Sequence, residues 1–82
     1  MPLEKIKPLS EIKTGENATL QSIKGGKDIS YRLTSLGLTP GASIEMLQNF
    51  GRGPLIVNVR GTHVALGRGE ARRIIVFEAV SS

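Results

Sequence analysis

Cysteine and tryptophan are absent from this 82-residue chain, and only three residues are aromatic: Tyr31, Phe50 and Phe77. Without cysteine there is no disulfide, no thiolate nucleophile and no cysteine-based zinc site. His63 is the single histidine, so a hydroxyl nucleophile would have one imidazole to serve as its base. Long apolar runs are missing too. The longest, Ile74 to Phe77, falls far short of the roughly 20 residues a bilayer helix needs, so no membrane insertion is expected. Pro2, Glu4, Lys5 and Lys7 interrupt the opening segment, which argues against a secretory leader and makes the cytoplasm the expected compartment.

What remains is a composition typical of a globular domain, 39% hydrophobic and 22% charged. The length predicts one domain over residues 1–82 with a thin core, because a fold of this size buries roughly 60–65% of its extended-chain surface. Ten glycines imply many tight turns and short elements. The net charge of +4 is unevenly spread: every lysine lies between Lys5 and Lys27, and every arginine between Arg32 and Arg73. A basic balance invites nucleic acid, but three aromatics are too few to interleave with cations as a stacking surface. Phe50 and Phe77 are expected to feed the core.

Leu3, Ile6, Leu9 and Ile12 recur every three residues, but Pro8 forbids one continuous helix. Pro2 to Gly15 therefore reads as a polar lead-in with a short turn at Leu9–Ile12. Residues 16–24 read as a first strand ending at Gly25-Gly26. Asp28 is the expected N-cap of a helix whose Ile29, Leu33 and Leu36 form one apolar stripe. Gly37 suits the left-handed residue that closes a Schellman ending, with Leu38 folding back on Leu33. Thr39-Pro40-Gly41 suits a type II turn. Strand periodicity then runs from Ala42 to Phe50 and over Leu55–Val59. Gly61-Thr62 is the hairpin signal, with a return strand from His63 to Leu66. After Gly67-Arg68-Gly69 come a helical stub at Glu70–Arg73 and a last strand from Ile74. The expected fold is all-β: five short strands in a small barrel, closed to remove its edges, with one short helix after the first strand.

No catalytic arrangement emerges, and no enzyme activity is expected. Glu45, Glu70 and Glu78 have no ligand spacing around His63, leaving His63 a weak metal candidate. Gly51-Arg52-Gly53 and Gly67-Arg68-Gly69 lack the phosphate-loop pattern and read as turns. No cofactor is implied.

Residues 31–41, Tyr-Arg-Leu-Thr-Ser-Leu-Gly-Leu-Thr-Pro-Gly, resemble the R-L-x-x-L-G-[L/I]-x-P-G signature of the FeoA (ferrous iron transport protein A) family. Gly53-Pro54-Leu55-Ile56-Val57-Asn58-Val59-Arg60-Gly61 is similar to its G-P-L-[I/V]-V-x-V-x-G strand. Residues 64–76, with Ala65, Leu66, Ala71, Ile74 and Val76, resemble its ending. Leu9, Ile12, Gly15 and Gly25-Gly26 fit as well, so the likeness runs from Leu9 to Val76. It implies an SH3-like barrel working as a cytoplasmic accessory of the FeoB membrane GTPase transporter. The same domain type closes the C-terminus of diphtheria-toxin-repressor-type regulators, so an SH3-like regulatory or nucleic-acid-binding module is the alternative. A metal sensor using His63 is a third reading. The aromatic-lined groove of peptide-binding SH3 modules is not expected with one tyrosine and no tryptophan.

For a docking module the candidate partner contacts are Arg32, Leu36, Leu38, Arg52, Arg68, Arg72 and Arg73. Arg32 could instead hold an internal carbonyl or Glu45. Asp28, Leu33, Gly37, Pro40, Gly41, Gly53, Pro54, Ala65, Leu66 and Ala71 have capping, turn or packing roles. Leu55–Val59 would suit edge pairing into a homo-oligomer.

Overall fold

Alternation sends Leu55, Val57 and Val59 to one side of their strand, and all three are fully buried. The same period buries Ala18 and Leu20, Ile44 and Met46, and Val64 and Leu66 on neighbouring strands. The computed structural model describes residues 3–80. Six strands make up its sheet: β1 (Leu3–Pro8), β2 (Asn17–Ile23), β3 (Ser43–Gln48), β4 (Leu55–Val59), β5 (Thr62–Leu66) and β6 (Ile74–Val80). A 3₁₀ turn (Leu9–Glu11) follows β1, helix α1 (Lys27–Ser35) follows β2, and a short α2 (Arg68–Arg73) joins β5 to β6. Every pairing is antiparallel, in the order β1-β6-β2-β3-β4-β5. The β2–β6 register slips between Leu20 and Ser22, and the β3–β4 register between Met46 and Gln48. Such irregularities bend strands, which helps this sheet curl around its single core.

This is the expected small β-barrel, with three differences. The segment before Pro8 is a strand rather than a lead-in, giving six strands where five are expected. Its Ile6 is 59% exposed, so core burial does not define it; the ladder with β6 does. The barrel is not closed by hydrogen bonds, because β1 and β5 end the ladder unpaired to each other. α2 packs instead on the 3₁₀ turn, β1 and β6. β4 is interior, paired on both sides, so Leu55–Val59 has no free edge with which to pair to another copy.

Helix α1 ends as its sequence demands. Gly37 N–H donates to Thr34 O (2.9 Å) and Leu38 N–H to Leu33 O (3.1 Å), the two bonds of a Schellman motif. Gly37 has φ +98°, a conformation a Cβ disfavours. Leu33 and Leu38 are both fully buried. The turn beyond closes through Ala42 N–H to Thr39 O (2.9 Å), with Gly41 at φ +88°. The start differs from expectation. Gly26 is the N-cap, and Asp28 lies inside the first turn with no capping hydrogen bond to its side chain. Its carboxylate still sits where the helix dipole favours negative charge. The apolar stripe is incomplete: Leu33 is buried and Ile29 is partly buried, but Leu36 stays 40% exposed.

Candidate interaction surface

One carboxylate ties the two helices together and another ties the edge strand β1 to the sheet. Glu70 accepts from Gly67 N–H through Oε1 (3.1 Å), capping α2, and meets Arg32 Nη2 through Oε2 (2.6 Å). Arg32 therefore pairs with Glu70 across the α1–α2 junction, not with Glu45. Lys7 Nζ lies 2.8 Å from Glu78, linking β1 to β6. The hydrogen bond between them is the main cause that raises the Lys7 ammonium and lowers the Glu78 carboxyl from their ordinary pKa values. A lowered carboxyl stabilises the fold above the ordinary carboxylate range, and loses that contribution as pH falls through its own value. A raised lysine stabilises below the ordinary lysine range, and loses that contribution as pH rises through its own value. The pair is thus fully effective across neutral pH.

Helix α1 stands between two open grooves. One, of about 620 Å³, runs between α1 and α2 and is lined by Lys27, Asp28, Ile29, Glu70 and Arg73. The other, of about 460 Å³, lies along its far side with Ile23, Ser30, Tyr31 and Thr34. Tyr31, 79% exposed, lines the second groove, and Leu36, 40% exposed, stands at the C-terminal end of α1. Arg32, Arg72 and Arg73 supply exposed cations from α1 and α2.

The sequence-derived contact residues divide. Arg32 and Leu36 lie on or at the end of α1, and Arg72 and Arg73 on α2. Leu38 is fully buried and offers no surface for docking. Arg68 is engaged within the fold. Its guanidinium donates to Asn49 Oδ1 (3.1 Å), Gly53 O (3.2 Å) and Ser10 O (3.3 Å). Arg52 is exposed in the same Gly51–Gly53 turn. Among the residues assigned to turns and packing, Leu66 and Ala71 are buried, whereas Pro40, Gly53, Pro54 and Ala65 are exposed. Phe50 lies beyond the end of β3 and is 74% exposed, contrary to its expected core place. His63 is exposed on β5 opposite Asn58. Among the described residues no three His, Asp or Glu side chains cluster as metal ligands, and no helix is long and apolar enough to cross a membrane.

Sequence reasoning gave Asn49 no role. Its side-chain amide donates to Ser10 O (3.0 Å) and Ile12 O (2.7 Å), while Oδ1 accepts from Gly51 N–H (3.0 Å) and Arg68. Its backbone exchanges two further bonds with Thr14 Oγ1. Asn49 and Arg68 together pin the 3₁₀ turn to the β3–β4 connection.

A small barrel with a helix mounted outside it is the architecture of an SH3-like domain. The family model described as FeoA domain matches residues 7–77, and the chain belongs to that family. It is 35% identical over 72 residues to a putative Fe(2+) transport protein A of Methanocaldococcus jannaschii, covering 88% of this chain and 87% of that one. The crystal structure of Stenotrophomonas maltophilia FeoA complexed with zinc, described as a prokaryotic SH3 domain protein, superposes with a TM-score of 0.75. That structure is 32% identical, over 84% of this chain and 87% of the other. A manganese-dependent transcriptional repressor matches 95% of this chain with 44% of its own, at TM-score 0.83 and 20% identity. That last likeness is one of fold alone.

Proposed function

We propose that this chain is a cytoplasmic, non-catalytic accessory of ferrous iron uptake that docks on a FeoB-type membrane GTPase transporter and modulates it. Family membership over residues 7–77 carries the reading. It gains support from the Stenotrophomonas relative, put forward as a ferrous iron transport activating factor. The docking face is α1 with its two grooves. Tyr31 on the second groove and Leu36 at the helix end supply exposed apolar area, Arg73 on the first groove supplies charge, and Arg32 lies beside it in its pair with Glu70. Exposed apolar side chains ringed by polar ones are the usual composition of an interface core. Arg72 belongs to the rim of this face, where a charge affects the rate of encounter more than the final affinity.

The test is complementation. In a strain lacking the gene, uptake of radioactive ferrous iron is expected to return with the wild-type chain. It should stay low with Tyr31→Ser combined with Leu36→Ser. Both residues are exposed, so thermal unfolding of that variant should match the wild type. Full uptake by the folded double variant would remove α1 from the docking face. Undiminished uptake in the deletion strain would remove the transport role itself.

A further inference from the structure

The two edge strands of the sheet are not alike. β1 carries Lys5, Lys7 and Pro8, the residue types that guard a strand edge against further pairing. β5, Thr62-His63-Val64-Ala65-Leu66, has no charged residue, no proline and no bulge in its register with β4. The hairpin fixes which of its backbone groups are free. Val59 and Thr62 flank the two-residue loop Arg60-Gly61, where both φ are positive (53° and 81°). Residues that flank such a loop bond to each other, and bonding then alternates along the pair. Thr62, Val64 and Leu66 therefore face β4, and the N–H and C=O groups of His63 and Ala65 point outward. Both of these residues are exposed, while Val64 and Leu66 are buried. Among the described residues no other backbone or side chain bonds to the β5 main chain.

Charge says what fits there. Arg60 stands at the start of β5 and Arg68 just beyond its end, with Arg52 in the turn that Arg68 holds. The polar partners of Arg60 and Arg68 are neutral: Thr39 Oγ1 for Arg60, and Asn49, Gly53 and Ser10 for Arg68. Arg60 also occupies a left-handed turn position that ordinarily favours asparagine or glycine, so local backbone preference does not account for it. A second copy pairing antiparallel through His63 and Ala65 would bring the Arg60 end of each chain to the Arg68 end of the other. Like charges would then meet at both ends.

We propose that the β5 edge accepts an extended segment of a partner protein as an added strand. That segment is a short run of β-branched residues with carboxylates at both ends. The inference deepens the docking reading and rests on it for the identity of the partner, but not for the site.

The experiment titrates isotope-labelled protein with the synthetic peptide Glu-Glu-Val-Thr-Val-Thr-Glu-Glu at low salt, following backbone amides by NMR. The largest shifts are expected at His63 and Ala65, with affinity about tenfold weaker when lysine replaces every glutamate. Ala65→Pro should abolish binding without unfolding the domain, because the N–H it removes faces away from β4. Arg60→Glu, which keeps every strand bond, should weaken it in parallel. Shifts confined to α1 and α2, equal affinity for both peptides, or undiminished binding by Ala65→Pro and Arg60→Glu would each overturn the proposal. So would concentration-dependent shifts at His63 and Ala65 without peptide, which would make a second copy the occupant. Because the transporter takes no part, a positive titration beside failed transporter binding would sink the docking reading and leave the edge site standing.

Discussion

Leu33→Ala is expected to destabilise the domain by about 2–5 kcal/mol, the range for truncating a fully buried leucine that leaves a cavity. A fold of this length has only roughly 4–12 kcal/mol in total, so the variant should be marginal at 37 °C. The position magnifies the loss. α1 has nine residues, and Leu33 is its one fully buried side chain. A helix that short does not persist without tertiary packing. Urea unfolding followed by circular dichroism checks the magnitude, and amide exchange across α1 checks the location. Leu36→Ala, at a 40% exposed position, should cost less than about 1 kcal/mol. Equal effects of the two would mean that α1 is not held through Leu33.

Asn49→Ala is expected to cost about 2–4 kcal/mol, because four side-chain hydrogen bonds disappear and their partners lose their mates together. Ile12 O loses its side-chain donor, Ser10 O keeps only the longer bond from Arg68, and Arg68 loses one of three acceptors. Asn49→Asp discriminates the mechanism. It keeps an acceptor for Arg68 and for Gly51 N–H, but turns a carboxylate oxygen toward the two carbonyls. The aspartate should therefore also destabilise, despite its charge attraction to Arg68. A neutral effect of both substitutions on the unfolding midpoint would contradict the network.

Local features of this fold were readable in the chain itself. The end of α1 is written in Gly37, Leu38, Pro40 and Gly41, whose conformations depend on neighbours a few residues away. β4 and β5 announce themselves by alternation, and their hairpin differs only in its loop, which is Arg60-Gly61 rather than Gly61-Thr62. Features that depend on distant partners were not readable. β1 exists because β6, at the other end of the chain, offers it a ladder. Its own spacing of three even suggests a helix. Asn49 looked like any polar residue after a strand, since its carbonyl partners lie 37 and 39 residues away. Arg68 looked like a surface cation for the same reason, with Ser10 58 residues off. Helix starts are also less binding than helix ends. Gly26 serves as N-cap although Asp28 is the better capping residue, because the entry from β2 fixes where the helix begins. The proposed docking face is legible only in part: Arg32 and Leu36 stand out beside the signature, but the exposure of Tyr31 follows from which side α1 turns to the core.

Direct binding to the transporter decides whether this chain is its accessory. Purified chain is titrated into the cognate FeoB-type transporter in detergent micelles, without nucleotide and with GDP or a non-hydrolysable GTP analogue, and heat of binding is recorded. Saturable binding is expected in at least one of these states, weakened by Tyr31→Ser with Leu36→Ser. No detectable heat in any state, from a chain that is folded by circular dichroism, would contradict it.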